Sequence, residues 1–443
     1  MYEGKTHTLF LRYAVPQMLG LLFNSIYLIV DGIFIGNGLG REAMAAAAVA
    51  VPLIEILIAL SLAVSSGAGA ILSDHLGRGE REQAVKACNT AIRILGIIGL
   101  SIVLLGNLLI HPIAQLLGAT PDIHDAAVAY LRYIITFSPF LLFSFLLGGL
   151  VRNDGRPKLA MFALTFGSIS NILLDYVFMY PFNMGIGGAA LATALGPIFS
   201  VLILLPHFLF GRGTLRFARC KLEFPLIRQI LYLCVPSFIM EFSIGIVTFV
   251  YNSAIVRHGS GELGLAAYLL IGYIMLIVLT LFLGMAEGLQ PVFSYFSGTG
   301  EQERNRALRR FAMMIFIALG LVCYVLIVLF SKNFYAIFSQ NDPELIAFAS
   351  DKSRTYLCGF FLAGFNILMI SYWQSTKQTK QALVISLLRS MVLPPLLVTV
   401  LPLLFGGEVI WLCHSFAEAL TACAVGMIKK HCGDAPAKAS GSA

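Results

Sequence analysis

The chain has 443 residues, 58% of them hydrophobic and 12% charged, with a formal charge of +7. A water-soluble domain carries about 25% charged residues, and a mean hydropathy of +0.85 excludes one here. A helix crossing a ~30 Å hydrocarbon core uses about 20 apolar residues, so twelve spans with short connections account for the length and leave no room for a soluble catalytic domain.

In chain order, apolar stretches predict spans at 9–38, 43–74, 87–110, 125–150, 159–180, 187–210, 227–257, 262–297, 308–331, 345–372, 382–404 and 408–428. The first, second, seventh and eighth exceed a straight crossing, which implies tilt, kinking or ends that protrude from the bilayer, with Pro16 and Pro236 as kink points. The run from Leu9 is too long for the apolar core of a signal peptide, so the N-terminus is expected to be retained. Cys234, Cys323, Cys358, Cys413 and Cys423 lie inside apolar runs and no C-x-x-C pair occurs, so neither a disulfide framework nor a zinc site is expected. Residues 431–443 read as a disordered tail.

Lys and Arg gather in the loops on the side of the termini, at Arg78, Arg81, Lys86, Arg156, Lys158, Arg212, Arg216, Arg219, Lys221, Arg304 and Arg306. The opposite loops hold only Arg41, Arg257, Lys332, Lys352 and Arg354. By the positive-inside rule both termini are cytoplasmic in a bacterial plasma (inner) membrane, and the basic excess is an orientation signal rather than a nucleic-acid surface.

The chain repeats itself at half its length. G-R-E-A-M-A-A from Gly40 returns as G-E-L-G-L-A-A from Gly261, S-D-H-L-G-R-G-E from Ser73 as S-Y-F-S-G-T-G-E from Ser294, and A-V-P-Q from Ala14 as C-V-P-S from Cys234. Six spans per copy bring the second copy in from the same side, a parallel repeat of the kind that places a substrate path between two bundles. The expected fold is an all-α integral membrane protein of twelve transmembrane helices in two pseudo-symmetric six-helix lobes, residues 1–210 and 227–430, joined by a cytoplasmic linker at 211–226.

A charge inside a span costs at least ~2.5 kcal/mol and needs a reason. Asp31 sits in L-I-V-D-G-I-F-I-G; it reads either as an ion- or proton-binding carboxylate or as a group near a frayed end that reaches water. In S-N-I-L-L-D-Y-V, Asn171 and Asp175 are spaced i,i+4 and share one helix face. Thr193, in G-G-A-A-L-A-T on the next span, is brought close by small residues that let helices approach. These hard oxygen ligands suit Na⁺ or a proton network, although interhelical hydrogen bonding alone would also account for Asn171 and Thr193. Repeat partners of the two acids are Tyr251 and the Leu396–Leu397 region, so the acids belong to one copy and function explains them better than scaffold.

The second half carries Glu241, Glu287, Arg389 and Glu418 inside its spans. Arg389 reads equally as one half of a structural ion pair or as a substrate contact. Glu241 and Glu287, with Phe238, Phe242 and Tyr273, are the candidates for lining a cavity that takes a cationic substrate. No H-E-x-x-H, Walker A, G-x-S-x-G or D-D-x-x-D motif occurs, so no enzymatic activity and no cofactor is expected, and any transport must draw on an ion gradient.

The stretch from Ala14 to Pro52 (P-x14-D-G-I-F-I-G, then A-A-A-A-V-A-V-P), the turn after span two, N-I-L-L-D and G-G-A-A-L-A-T together resemble the multidrug and toxic compound extrusion (MATE) family. S-L-L-R-S-M-V-L-P-P is similar to its DinF/MepA-like bacterial branch. The resemblance implies an antiporter exporting lipophilic, often cationic drugs in exchange for H⁺ or Na⁺, working as a monomer among membrane lipids. It also implies a coupling site at Asp31, Asn171, Asp175 and Thr193, which would hold Na⁺ if that is the ion, and a bend in helix one at Pro16. The acid of span seven in NorM-type members lies about one turn further past the proline than Glu241. The alternative within the same superfamily is a flippase or exporter of lipid-linked precursors or metabolites.

Overall fold

A computed structural model describes residues 4–39, 41–119, 121–218, 220–221, 223–258, 261–338 and 342–432, and no strand occurs among them. The first half supplies α1 (Thr6–Leu39), α2 (Arg41–Gly77), α3 (Arg81–Leu108), the short α4 (Ile110–Leu116), α5 (His124–Asn153), α6 (Pro157–Met179) and α7 (Gly185–Leu209). The second supplies α8 (Phe224–Arg257), α9 (Gly261–Thr299), α10 (Gln302–Phe338), α11 (Pro343–Tyr356), α12 (Phe360–Ser375), α13 (Thr379–Leu387), α14 (Leu393–Phe405) and α15 (Ile410–Cys432). Among the described residues ten helices are long and apolar enough to span a membrane, or eleven when α11 and α12, bent by 50°, count as one. The remaining predicted span, 9–38, falls within α1. Exposed residues such as Leu116 (86%) and Leu403 (74%) would be a liability in water; they fit a surface facing lipid.

Backbone geometry repeats in register with the sequence. Asn153 and Ser375 end α5 and α12, Pro157 and Thr379 begin α6 and α13, and Gly185 and Gly407 open the last span of each half, every pair about 222 positions apart. Gly155 (φ 80°) and Lys377 (φ 60°), another such pair, both take the left-handed conformation that turns the chain between spans. Two features were not evident from the pattern: the predicted span 345–372 is broken, and 382–404 contains a π-helical turn at Leu388–Val392.

The chain forms two compact units, Met1–Phe238 with Glu287–Glu301, and Ile239–Ala286 with Gln302–Ala443, so α8 and α9 each supply a segment to both. In the first, small residues of α2 (Ala63, Ala68, Ala70) pack with Leu142, Leu146 and Leu150 of α5 and Ala189 of α7. Apolar lipid offers no hydrophobic drive between helices, so close backbone approach supplies the dispersion energy instead. Repeat-related glycines make two matching close crossings. A Cβ at Gly77 would strike the Tyr295 carbonyl and one at Gly298 the Asp74 carbonyl. Likewise a Cβ at Gly67 would lie 2.9 Å from the Cys234 Sγ, and one at Gly288 would strike the Tyr13 carbonyl. The α2–α8 and α9–α1 contacts are thus one packing used twice.

The linker following α7 is pinned at its start: buried Asp154 accepts from His207 Nε2 (2.8 Å), Thr214 N (3.0 Å) and Leu215 N (3.1 Å). The second unit has an aromatic core in which Tyr251 stacks on Tyr268 (5.4 Å) and Tyr356 on His414 (4.9 Å). At the C-terminus α15 continues through Cys432, two residues into the expected tail; residues from 433 lie outside the described set.

Candidate functional site

Asp31 of α1, Asn171 and Asp175 of α6 and Thr193 of α7 all fall in the first unit. Glycine brings the last two helices together: a Cβ at Gly167 would collide with Ser200 Oγ and the Gly196 carbonyl, and one at Gly196 would sit 3.0 Å from the Gly167 carbonyl. Asn171 lies one turn beyond Gly167 and Thr193 one turn before Gly196, so the crossing sets their helix faces side by side.

Asp31, Asn171 and Asp175 are 9%, 2% and 0% exposed. The two carboxyl groups are close enough to influence each other directly. Two bare carboxylates this near repel each other, a repulsion that a proton or a cation between them would relieve. Five buried atoms here, Asp31 Oδ1, both Asp175 oxygens and both polar atoms of the Asn171 amide, have no hydrogen-bond partner, although buried polar groups are paired in the great majority of cases. Thr193 Oγ1 donates to the Ala189 carbonyl at 3.1 Å.

The structure adds two residues the sequence reading missed. Tyr27, one turn before Asp31, and Tyr130 of α5 both lie close enough to feel the Asp31 and Asp175 charges. Beside the carboxylates is a cavity of about 20 Å³ lined by Asn24, Tyr27, Ser144, Ser168, Asn171 and Thr193 among others. That is room for about one water-sized guest.

The five cavity candidates divide between the units. Phe238 packs against the first unit's core, and Glu287 is also in that unit, while half-buried Glu241, exposed Phe242 and half-buried Tyr273 belong to the second. Glu287 accepts from Gln17 Nε2 at 2.9 Å and lies 3.7 Å from Arg152. Gln17 follows Pro16, and α1 runs through that proline as one continuous helix. The repeat partners of Gln17 and Glu287 are Ser237 and Ser66, which make the repeat-related contact at 3.2 Å. In the second unit Arg389 and Glu418 pair with each other, the ion pair that one of the two readings of Arg389 expects.

The MatE family model matches this chain twice, over residues 16–177 and 236–399. The chain belongs to the MatE family. That family is one of transporters, not enzymes, and the doubled match follows the internal repeat.

Among its relatives, the "Multidrug export protein MepA" of Staphylococcus saprophyticus is 24% identical over 96% of this chain and 92% of its own length. MepA of Staphylococcus aureus strain MRSA252 is 24% identical over 94% and 92%. Among solved structures, a multidrug resistance MATE family transporter of the MOP superfamily in an outward-facing conformation superposes with a TM-score of 0.90 at 22% identity, covering 96% of both chains. A Pyrococcus furiosus MOP superfamily transporter, whose binding pocket is described as of reverse polarity, gives 0.88 at 23% identity over 96% of both. This MatE-family chain therefore shares its fold with both.

Proposed function

We propose that this MatE-family protein is a secondary-active multidrug exporter that expels lipophilic, often cationic small molecules in exchange for H⁺ or Na⁺, the ion binding at Asp31 and Asp175. The observation carrying this is the set of five buried, unpartnered polar atoms around two facing carboxylates; the names of the staphylococcal relatives support the drug class. Asp31, Asp175, the Asn171 amide oxygen and Thr193 are hard donors that fit Na⁺, and the same two acids can share a proton instead.

Neutralisation by the entering ion lets α1, α6 and α7 pack without two like charges in a medium of low dielectric. An ion moving down a 100 mV potential supplies about 2.3 kcal/mol per charge, enough to bias a two-state equilibrium by about fiftyfold. A cationic substrate that competes for the same negative charge is thereby coupled to ion release. Orientation follows the basic loops: both termini cytoplasmic, in a bacterial plasma membrane, with the protein acting as a monomer.

The test is drug tolerance in an export-deficient bacterium. The wild-type chain should raise tolerance to lipophilic cations at least severalfold, and Asp31→Asn and Asp175→Asn, present in the membrane at equal amounts, should remove the gain. Unchanged tolerance in both variants would refute the coupling role. No gain from the wild type would redirect the search to lipid-linked or metabolite substrates.

A further inference from the structure

We infer that the Arg389–Glu418 ion pair of the second unit is a built-in counterpart of the exchangeable cation of the first, so that one copy of the repeat takes its positive charge from solution and the other carries it as a side chain. This deepens the coupling role proposed above and rests on it for the word exchangeable. The register is fixed by the backbone, since the ends of α5 and α12, the starts of α6 and α13, and the left-handed Gly155 and Lys377 all stand 222 positions apart.

In that register Ser144 corresponds to Asn366, Gly167 to Arg389 and Gly196 to Glu418. In the first copy these three residues line the cavity of about 20 Å³. In the second copy their equivalents bond to one another. Arg389 Nη2 lies 2.8 Å from Glu418 Oε1, and Arg389 Nε donates to Glu418 Oε2 at 3.1 Å. Asn366 Nδ2 donates to the same Oε2 at 2.7 Å and to the Glu418 carbonyl at 2.9 Å. This is the two-pronged guanidinium–carboxylate geometry, with the two side chains 10% and 3% exposed.

The exchange is reciprocal. Where the first copy has Asp31 and Asp175, the second has Tyr251 and Leu397. Where the first has two glycines that let α6 and α7 touch, the second has a cation and an anion. Arg389 also lies on the π-helical turn Leu388–Val392, a local insertion that re-aims a side chain without ending the helix. The other titratable groups facing the pair are His414, one turn before Glu418 on α15 and under the influence of both charges, and Tyr251, which feels Glu418. The first copy needs a guest cation to balance its acids, whereas the second is already neutral.

Removing only the guanidinium should therefore create a cation site the native protein lacks. The experiment counts cations taken up per purified full-length chain, radioactive sodium by equilibrium binding and protons by pH titration, with thermal denaturation as a check on folding. The wild type should take up one cation that Asp31→Asn/Asp175→Asn loses. Arg389→Gln should take up one more, and should still take up one in the Asp31→Asn/Asp175→Asn background. Arg389→Gln/Glu418→Gln and the charge-conserving Arg389→Lys should both return to the wild-type count. A wild-type count in Arg389→Gln, or loss of the native cation in the doubly neutral variant, would overturn the inference. If the wild type takes up nothing at its aspartates while Arg389→Gln still gains a cation, the coupling role of the first unit fails and the neutralised site in the second stands.

Discussion

At the scale of single residues, Asp175 has no protein donor, is fully buried, and faces a second acid. Replacing either acid by Asn removes like-charge repulsion and supplies a donor, so Asp175→Asn should leave the fold at least as stable as before while removing ion-driven transport. Thermal denaturation in detergent should show an unchanged or raised Tm; a loss of several degrees would mean the carboxylate is structural. Tyr130→Phe deletes one buried hydroxyl close enough to feel both acids. A neutral hydroxyl dipole near a charged site is worth about 1 kcal/mol, so ion affinity should fall about fivefold with little change in Tm. The acids, Asn171 and Thr193 were legible in the sequence because a polar residue in an apolar run is an anomaly that demands a reason. Tyr27 and Tyr130 were not, because in a chain with 12% aromatic residues a tyrosine in a span is ordinary, and only helix rotation decides whether its hydroxyl meets a carboxylate.

Elements are held at their crossings by missing side chains. Gly167 and Gly196 let α6 and α7 approach until the Asn171 and Thr193 faces adjoin, and a Cβ at Gly167 has nowhere to go. Gly167→Val should cost about 1–3 kcal/mol through overpacking and lower ion affinity as well, read by Tm and by ion binding; a neutral effect on both would show that the crossing does not set the site. The small-residue motif G-G-A-A-L-A-T announced this approach. The break between α11 and α12 was not announced, because Leu357, Cys358 and Gly359 continue an apolar run and hydropathy does not distinguish a bent span from a straight one. The π-helical turn at Leu388–Val392 escapes hydropathy too, although Pro394 and Pro395 just after it cannot donate the next helical hydrogen bonds.

At the scale of the whole molecule, a duplicated chain uses its copies unequally. The crossings at Gly67 and Gly288 are equivalent, yet the polar contact is Ser66–Ser237, with Gln290 added, at the first and Gln17–Glu287, with Arg152 added, at the second. Gln17 shares α1 with Asp31, so the helix that carries an acid of the coupling site also carries the Glu287 contact at its basic-loop end. Glu287→Leu should loosen this junction. Cys234, buried against Gly67, is a native reporter. In a chain whose other cysteines are replaced, a membrane-impermeant maleimide applied from the basic-loop side should label Cys234 severalfold faster in Glu287→Leu than in wild type; equal rates would mean the contact does not hold the junction closed.

The most direct test of ion-coupled export is ethidium efflux from proteoliposomes, with a pH gradient and a Na⁺ gradient imposed separately and Asp31→Asn in parallel. Efflux driven by one gradient and reduced to the empty-vesicle rate in Asp31→Asn is the expected result, and it names the ion. Efflux that neither gradient accelerates, or that Asp31→Asn leaves intact, would contradict coupling through the buried carboxylates.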